Sequence, residues 1–170
     1  INPCTNFRRI PPLGLLYVAG YLEKSGIEVD VIDPFSDGKD YKTRSPYVGI
    51  TCMSNQWEAV KCIAKSVKLN SPESIIVVGG VHPTVSESAR DPNIDVIVRG
   101  EGEKAMLKIV SEHITEGVIE GEPFEKLDDR PFPARHLINM NKYTARGDVL
   151  FFNWIRATSM ITSLGCPHEC

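Results

Sequence analysis

The sequence predicts an α/β fold: a flavodoxin-like (Rossmann-like) five-stranded parallel sheet of order 2-1-3-4-5, helices on both faces, over positions 1–115. Three observations predict it. Apolar strand-length runs alternate with helical stretches up to about residue 115, the pattern of right-handed βαβ units. Ile75-Ile76-Val77-Val78 is apolar throughout, as a central strand covered on both sides should be. Ile27, Val29 and Val31 alternate with Glu28 and Asp30, as in a half-buried strand at an edge.

The elements follow in order. Ile1-Asn2-Pro3 reads as the end of a first strand whose beginning lies upstream. Pro12 to Ser25 is a helix with Leu13, Leu16, Tyr17, Gly20 and Tyr21 on one face, stopped by Gly26. The alternating strand from Ile27 ends at Pro34. Ser36 to Pro46 is polar and short, so a loop stands where a helix is due, or residues are missing there. Tyr47 to Thr51 is the third strand. Ser54 can cap the helix after it, in which Val60, Ile63, Ala64 and Val67 share a face. Gly79-Gly80 breaks the fourth strand. Ile94 to Val98 is the fifth, and Lys104 to Thr115 a helix with Met106, Ile109, Val110 and His113 on one side.

The chain then changes character. Gly117 to Arg135 is rich in Pro, Gly and charge and reads as a linker, so positions 116–160 are expected to be an extension, poorly packed or held by a neighbour beyond about Arg135. Met160-Ile161-Thr162-Ser163 runs as a strand into Gly165-Cys166, and positions 161–170 are expected to begin another domain, cut short here. The 170 residues are 42% hydrophobic and 24% charged, the composition of a globular protein with a core to bury. A net charge of -3 argues against a nucleic-acid partner. No apolar run approaches the ~20 residues that span a bilayer. The five cysteines, Cys4, Cys52, Cys62, Cys166 and Cys170, are odd in number and scattered, which fits a reducing cytoplasm rather than a disulfide framework.

In an open parallel sheet, ligands bind beyond the carboxyl ends of the strands. Those ends carry Thr51-Cys52-Met53-Ser54, Gly79-Gly80-Val81-His82-Pro83-Thr84 and Arg99-Gly100-Glu101-Gly102-Glu103. The glycines permit close approach of a bulky ligand, and Thr51, Ser54 and Thr84 offer small hydroxyls. Nucleotide signals are absent: the first loop, Asn2 to Phe7, has no glycine, no G-x-x-x-x-G-K-[ST] occurs, and Glu101 and Glu103 would repel phosphate.

Thr51-Cys52-Met53, followed after twenty-five residues by Gly79-Gly80, resembles the S-x-L and G-G pair of cobalamin-binding Rossmann domains. Pro11-Pro12-Leu13-Gly14-Leu15, the two glycine-rich loops and Leu127 to Arg135 are similar to one subgroup, the cobalamin-dependent radical SAM enzymes. Thr162-Ser163-Leu164-Gly165-Cys166-Pro167-His168-Glu169-Cys170 resembles the start of that family's C-x-x-x-C-x-x-C loop, whose third cysteine would fall three positions past Cys170. The resemblance implies cobalamin contacts at Thr51, Met53, Ser54, Gly79, Gly80, His82, Thr84, Gly100, Glu101 and Gly102. It implies Cys166 and Cys170 as ligands of a [4Fe–4S] cluster that binds S-adenosyl-L-methionine in the intact protein. It implies a corrinoid presented to a radical SAM barrel for methyl transfer or related radical chemistry, this stretch alone being inactive. The D-x-H-x-x-G loop that ligates cobalt in methionine-synthase-like domains has no counterpart here, which implies a base-off cobalamin with no histidine on cobalt. The alternative is a cofactor-free docking or substrate-recognition module of the same fold; a flavodoxin or receiver domain ranks last.

Several residues have plainer readings. His82 reads as a loop residue bonded to backbone, His113 as core or interface, Cys52 and Cys62 as small buried residues, and Trp57 as a helix anchor. Glu101 and Glu103 read as solvated loop carboxylates or charges at a helix N-terminus.

Overall fold

The computed structural model describes residues 1–3, 10–34, 40–143 and 158–163. Its sheet has four parallel strands in the order β1-β2-β3-β4: β1 (Tyr47–Thr51), β2 (Ile75–Gly79), β3 (Val96–Gly100) and β4 (Gly117–Gly121). The helices are α1 (Leu13–Lys24), α2 (Trp57–Asn70), α3 (Val81–Val85) and α4 (Gly102–Ser111).

The parallel α/β architecture and the interior place of the Ile75–Val78 run agree with the sequence. β2 is flanked by β1, with Tyr47 opposite Ile75 and Thr51 opposite Gly79, and by β3, with Val77 opposite Val96. Its side chains alternate between two apolar layers. Ile76 and Val78 meet Val60, Ile63, Ala64 and Val67 of α2, whereas Val77 meets Met106 and Ile109 of α4 and Leu22 of α1. Three adjacent strands thus keep the predicted relative order.

The five-strand expectation needs correction at both ends. Positions 1–3 and 27–33 form no ladder, although they lie where the order 2-1-3 puts them: Asn2 N–H donates to the Ile32 carbonyl at 3.0 Å and Thr51 N–H to the Ile1 carbonyl at 3.2 Å. Those contacts are too few for regular strands. At the other end, Gly117–Gly121, expected to open a linker, is the edge strand, paired with β3 from Val96–Gly117 to Gly100–Gly121. Three side chains between two glycines carry too little periodicity to read as a strand.

The last helix runs from Gly102 to Ser111 rather than from Lys104 to Thr115, and His113 is an exposed residue at φ 54° in the turn after it, not part of an apolar face. Cys52 is buried as expected; Cys62 is exposed.

The stretch after β4 is also better packed than expected. Residues 122–137 form a strap across α1, seated on the stripe of the helix that the sequence marks as apolar. Phe124 stands edge-on to Tyr21 with ring centroids 5.5 Å apart. Ala134 N–H donates to the Leu16 carbonyl at 2.9 Å. A Cβ at Gly20 would collide with the Phe132 carbonyl oxygen, so only glycine lets the strap lie this close. Leu137 and Ile138 continue the contact, and Tyr143 is buried with its hydroxyl donating to the carboxylate of Asp33. The opposite side of α1, Leu15, Val18 and Leu22, faces the sheet and α4.

A cavity walled by absent side chains

The loops after β1, β2 and β3 meet at the carboxyl edge of the sheet. Cys52 N–H donates to the Gly79 carbonyl at 2.8 Å and His82 N–H to the Cys52 carbonyl at 3.1 Å, which binds the first two loops together. Thr84 joins the second to the third: its hydroxyl donates to the Gly80 carbonyl at 2.8 Å and accepts from Gly100 N–H at 3.0 Å. The Thr84 hydroxyl thus commits its proton and one lone pair to the scaffold and keeps a second lone pair on an exposed side chain. His82 lies in α3, not in a loop, with Nδ1 3.3 Å from the Ser54 hydroxyl and its ring against Trp57 at 4.9 Å between centroids. Ser54 does not cap α2; the turn before that helix is closed by the buried Gln56, whose side-chain oxygen accepts from Met53 N–H at 3.0 Å. Met53 is exposed at this rim.

The glycines divide into two kinds. Gly80, at φ 111°, has its missing Cβ 2.8 Å from the Cys52 carbonyl oxygen and 3.0 Å from the Cys52 nitrogen; here glycine serves backbone packing. Gly100, at φ 78°, is the same case against the Gly121 carbonyl oxygen at 2.9 Å. Gly14, Gly49 and Gly79 are different. A Cβ would meet nothing within 4 Å at Gly14, the Met106 methyl at 3.9 Å at Gly49, and the Val98 side chain at 3.5 Å at Gly79. Their absent side chains leave space.

That space is a cavity of about 190 Å³ between the strand ends and helices α1 and α4, lined by those three glycines together with Thr51, Val77 and Met106. A second cavity of about 210 Å³ shares Leu15, Val18, Gly49 and Met106 with it and continues beneath α1 toward Pro46 and Tyr47. Each is smaller than the ~300–1,000 Å³ that holds a whole drug-sized ligand. The volume suits a side group of a ligand rather than a complete large ligand.

Of the sequence-marked residues, Thr51, Gly79, Gly80, Gly100, Glu101 and Gly102 line the first cavity. Met53, Ser54, His82 and Thr84 do not; the first two belong to the turn after β1 and the other two to α3. Gly14 and Gly49 are lining residues that the sequence reading placed only in a motif and a strand. Glu103 is a charge in the first turn of α4, the second of its two sequence readings, but it is not solvated. It is 1% exposed, and Arg130 of the strap donates from Nε to its Oε1 at 2.6 Å. Glu101 is part-exposed, 3.7 Å from the same guanidinium. Both stand at the N-terminus of α4, and neither is a simple solvated loop carboxylate. Cys166 and Cys170 lie outside the described residues.

The model of the B12 binding domain matches residues 8–110. The chain belongs to that family. The B12-binding domain seen here is similar to an uncharacterised methyltransferase of Pyrococcus horikoshii, 30% identical over 94% of this chain and 39% of the relative. It is also similar to cytidylyl-2-hydroxyethylphosphonate methyltransferase of Streptomyces wedmorensis, 28% identical over 94% of this chain and 43% of the relative. The anaerobic magnesium-protoporphyrin IX monomethyl ester cyclase of Synechocystis is 26% identical over 95% of this chain and 37% of its own length. The chain thus spans about two-fifths of the relatives it matches. Among solved structures, the N-terminal domain of a hypothetical protein of Thermotoga maritima aligns with a TM-score of 0.48 at 18% identity, covering 69% of this chain and 99% of that one. Among the described residues no helix of this B12-binding domain is long and apolar enough to cross a membrane.

Proposed function

We propose that this domain binds cobalamin base-off, with the nucleotide tail in the cavity under α1 and the corrin over the rim loops, and presents it to a radical SAM barrel in a cytoplasmic enzyme. Positions 1–115, completed by the edge strand β4, form the cobalamin-binding unit on this reading, the rest up to position 160 the extension and 161–170 the start of the barrel, with Cys166 and Cys170 as ligands of its [4Fe–4S] cluster. The observation that carries the reading is the cavity itself: Gly14, Gly49 and Gly79 leave room for a flat heterocycle without any protein contact requiring it. The residues present therefore fit the tail of the cofactor. Thr51 stands at the cavity, and the carbonyls and amides of the Gly79–Gly80 and Gly100–Gly102 loops frame its mouth. Ser54 and His82 hold each other at the rim, beside exposed Met53 and Val81, which offer an apolar seat for a macrocycle. When bound, cobalamin supplies a carrier for a methyl group. The names of two relatives, both methyltransferases, favour methyl transfer as the reaction of the whole protein.

Incubation with hydroxocobalamin, gel filtration and an absorption spectrum of the protein peak test this reading. Wild type should carry corrinoid through the column. Gly49→Val, whose added methyls project into the cavity, should lose it while keeping the same far-UV circular dichroism. A wild-type protein that emerges free of corrinoid defeats the reading in favour of a cofactor-free docking module.

A further inference from the structure

The cavity's charged lining residues are Glu101, Glu103 and Arg130, and they are gathered at one point. Glu101 and Glu103 sit where β3 turns into α4, beside the cavity-lining Gly100 and Gly102. Arg130 reaches them from the strap. Its guanidinium lies 3.9 Å from the centroid of the Tyr17 ring on α1 while its nitrogens bond Glu103 at the start of α4. One side chain therefore bridges the two helices that wall the cavity and fastens the strap to both. It is 10% exposed and its Glu103 partner 2%, so little water competes for the pair. The rest of the strap has its own anchors: Lys104 Nζ donates to the Pro123 carbonyl at 2.9 Å, and Ala134 N–H to Leu16. Removing the guanidinium should leave the strap attached at both ends and free in the middle, at the cavity.

We propose that Arg130 is a positioning residue that latches the strap across the α1–α4 wall, so that the closed latch holds that wall firm and slows release of the corrinoid tail through the rim. This rests on the cobalamin reading above. It assigns the strap a part in ligand retention and ties cavity occupancy to the path of the chain leaving the domain.

The test is the release rate of pre-bound hydroxocobalamin from the full chain, measured by filtration after dilution, together with hydrogen exchange of peptides covering 122–137. Arg130→Gln should release the corrinoid about tenfold faster, the loss of roughly one charge-assisted bond. Arg130→Lys, which keeps the charge without the fork or the stack, should fall between. Ligand should slow exchange in the strap of wild type but not of Arg130→Gln. Should Arg130→Gln fail to fold, Tyr17→Leu removes the stack, spares the ion pair, and should accelerate release by a smaller factor. A folded variant with the wild-type release rate and wild-type protection overturns the latch alone. A wild type that binds no corrinoid overturns the cobalamin reading and the latch with it.

Discussion

Adding one methyl group at Gly79 and at Gly80 should move stability in opposite directions. Gly80 has φ 111° and ψ -166°, a region open essentially to glycine, and forcing alanine into it costs about 1–3 kcal/mol. The new Cβ would stand 2.8 Å from the Cys52 oxygen and 3.0 Å from its nitrogen, so the backbone must part. That strains the Cys52–Gly79 and His82–Cys52 hydrogen bonds, each worth roughly 0.5–1.5 kcal/mol. Gly80→Ala should therefore lose about 2–5 kcal/mol. Gly79→Ala meets only the Val98 side chain, at an ordinary 3.5 Å, and removes the entropic cost of glycine in a strand, a gain of about 0.5–1 kcal/mol. Equilibrium urea unfolding reads the difference. With a slope of about 1–3 kcal/mol per molar, the two midpoints should differ by at least ~1 M, with wild type between them. Equal losses in both variants, or a Gly80→Ala protein as stable as wild type, would refute the division of the glycines into packing and space-making kinds.

Two further outcomes follow from the same geometry. Alkylation of the folded protein at pH 8, mapped by mass spectrometry, should modify Cys62 and spare Cys52, because burial pushes the Cys52 thiol up to about 11. That raised value favours the folded state below pH 9, and the contribution should fade as pH rises from 9 toward about 11. Paramagnetic resonance of bound Co(II)-cobalamin should show no nitrogen splitting from protein, and His82→Ala should leave the spectrum unchanged; a splitting that disappears in that variant would establish a histidine ligand and defeat the base-off, histidine-free assignment.

How far the sequence reveals this molecule depends on the range of the interactions. β2 is legible because a strand buried on both faces must be apolar at every position. The strand-end loops are legible because glycine pairs mark a place where backbone or ligand comes close. The sequence does not separate Gly80, which serves its neighbour's backbone, from Gly79, which leaves a void, since that distinction depends on what stands opposite. The α1 stripe of Leu16, Tyr17, Gly20 and Tyr21 was visible, but its partner is the strap rather than the sheet. Glu103 carries no local mark of burial; its counter-ion lies 27 positions away in a stretch whose proline and charge imitate a linker. β4 escapes for the opposite reason, being an exposed edge with too few side chains to show a period.

The strap also dictates an order of assembly. β1 to β4 and the helices between them are neighbours in sequence, and each βα unit can close on the last as it forms. The seat on α1 is filled by residues from the far end: Tyr143 meets Asp33 across 110 positions, and His136 meets Glu23 across 113. At ordinary rates of synthesis, α1 waits on the order of ten seconds for its cover to leave the ribosome. Throughout that interval Leu16, Tyr17 and Tyr21 face water or a chaperone, and the nascent chain presents the same helix stripe that the finished protein hides. Early contacts of high sequence separation are slow to form, so docking of the strap is the expected last step of folding and the first to reverse.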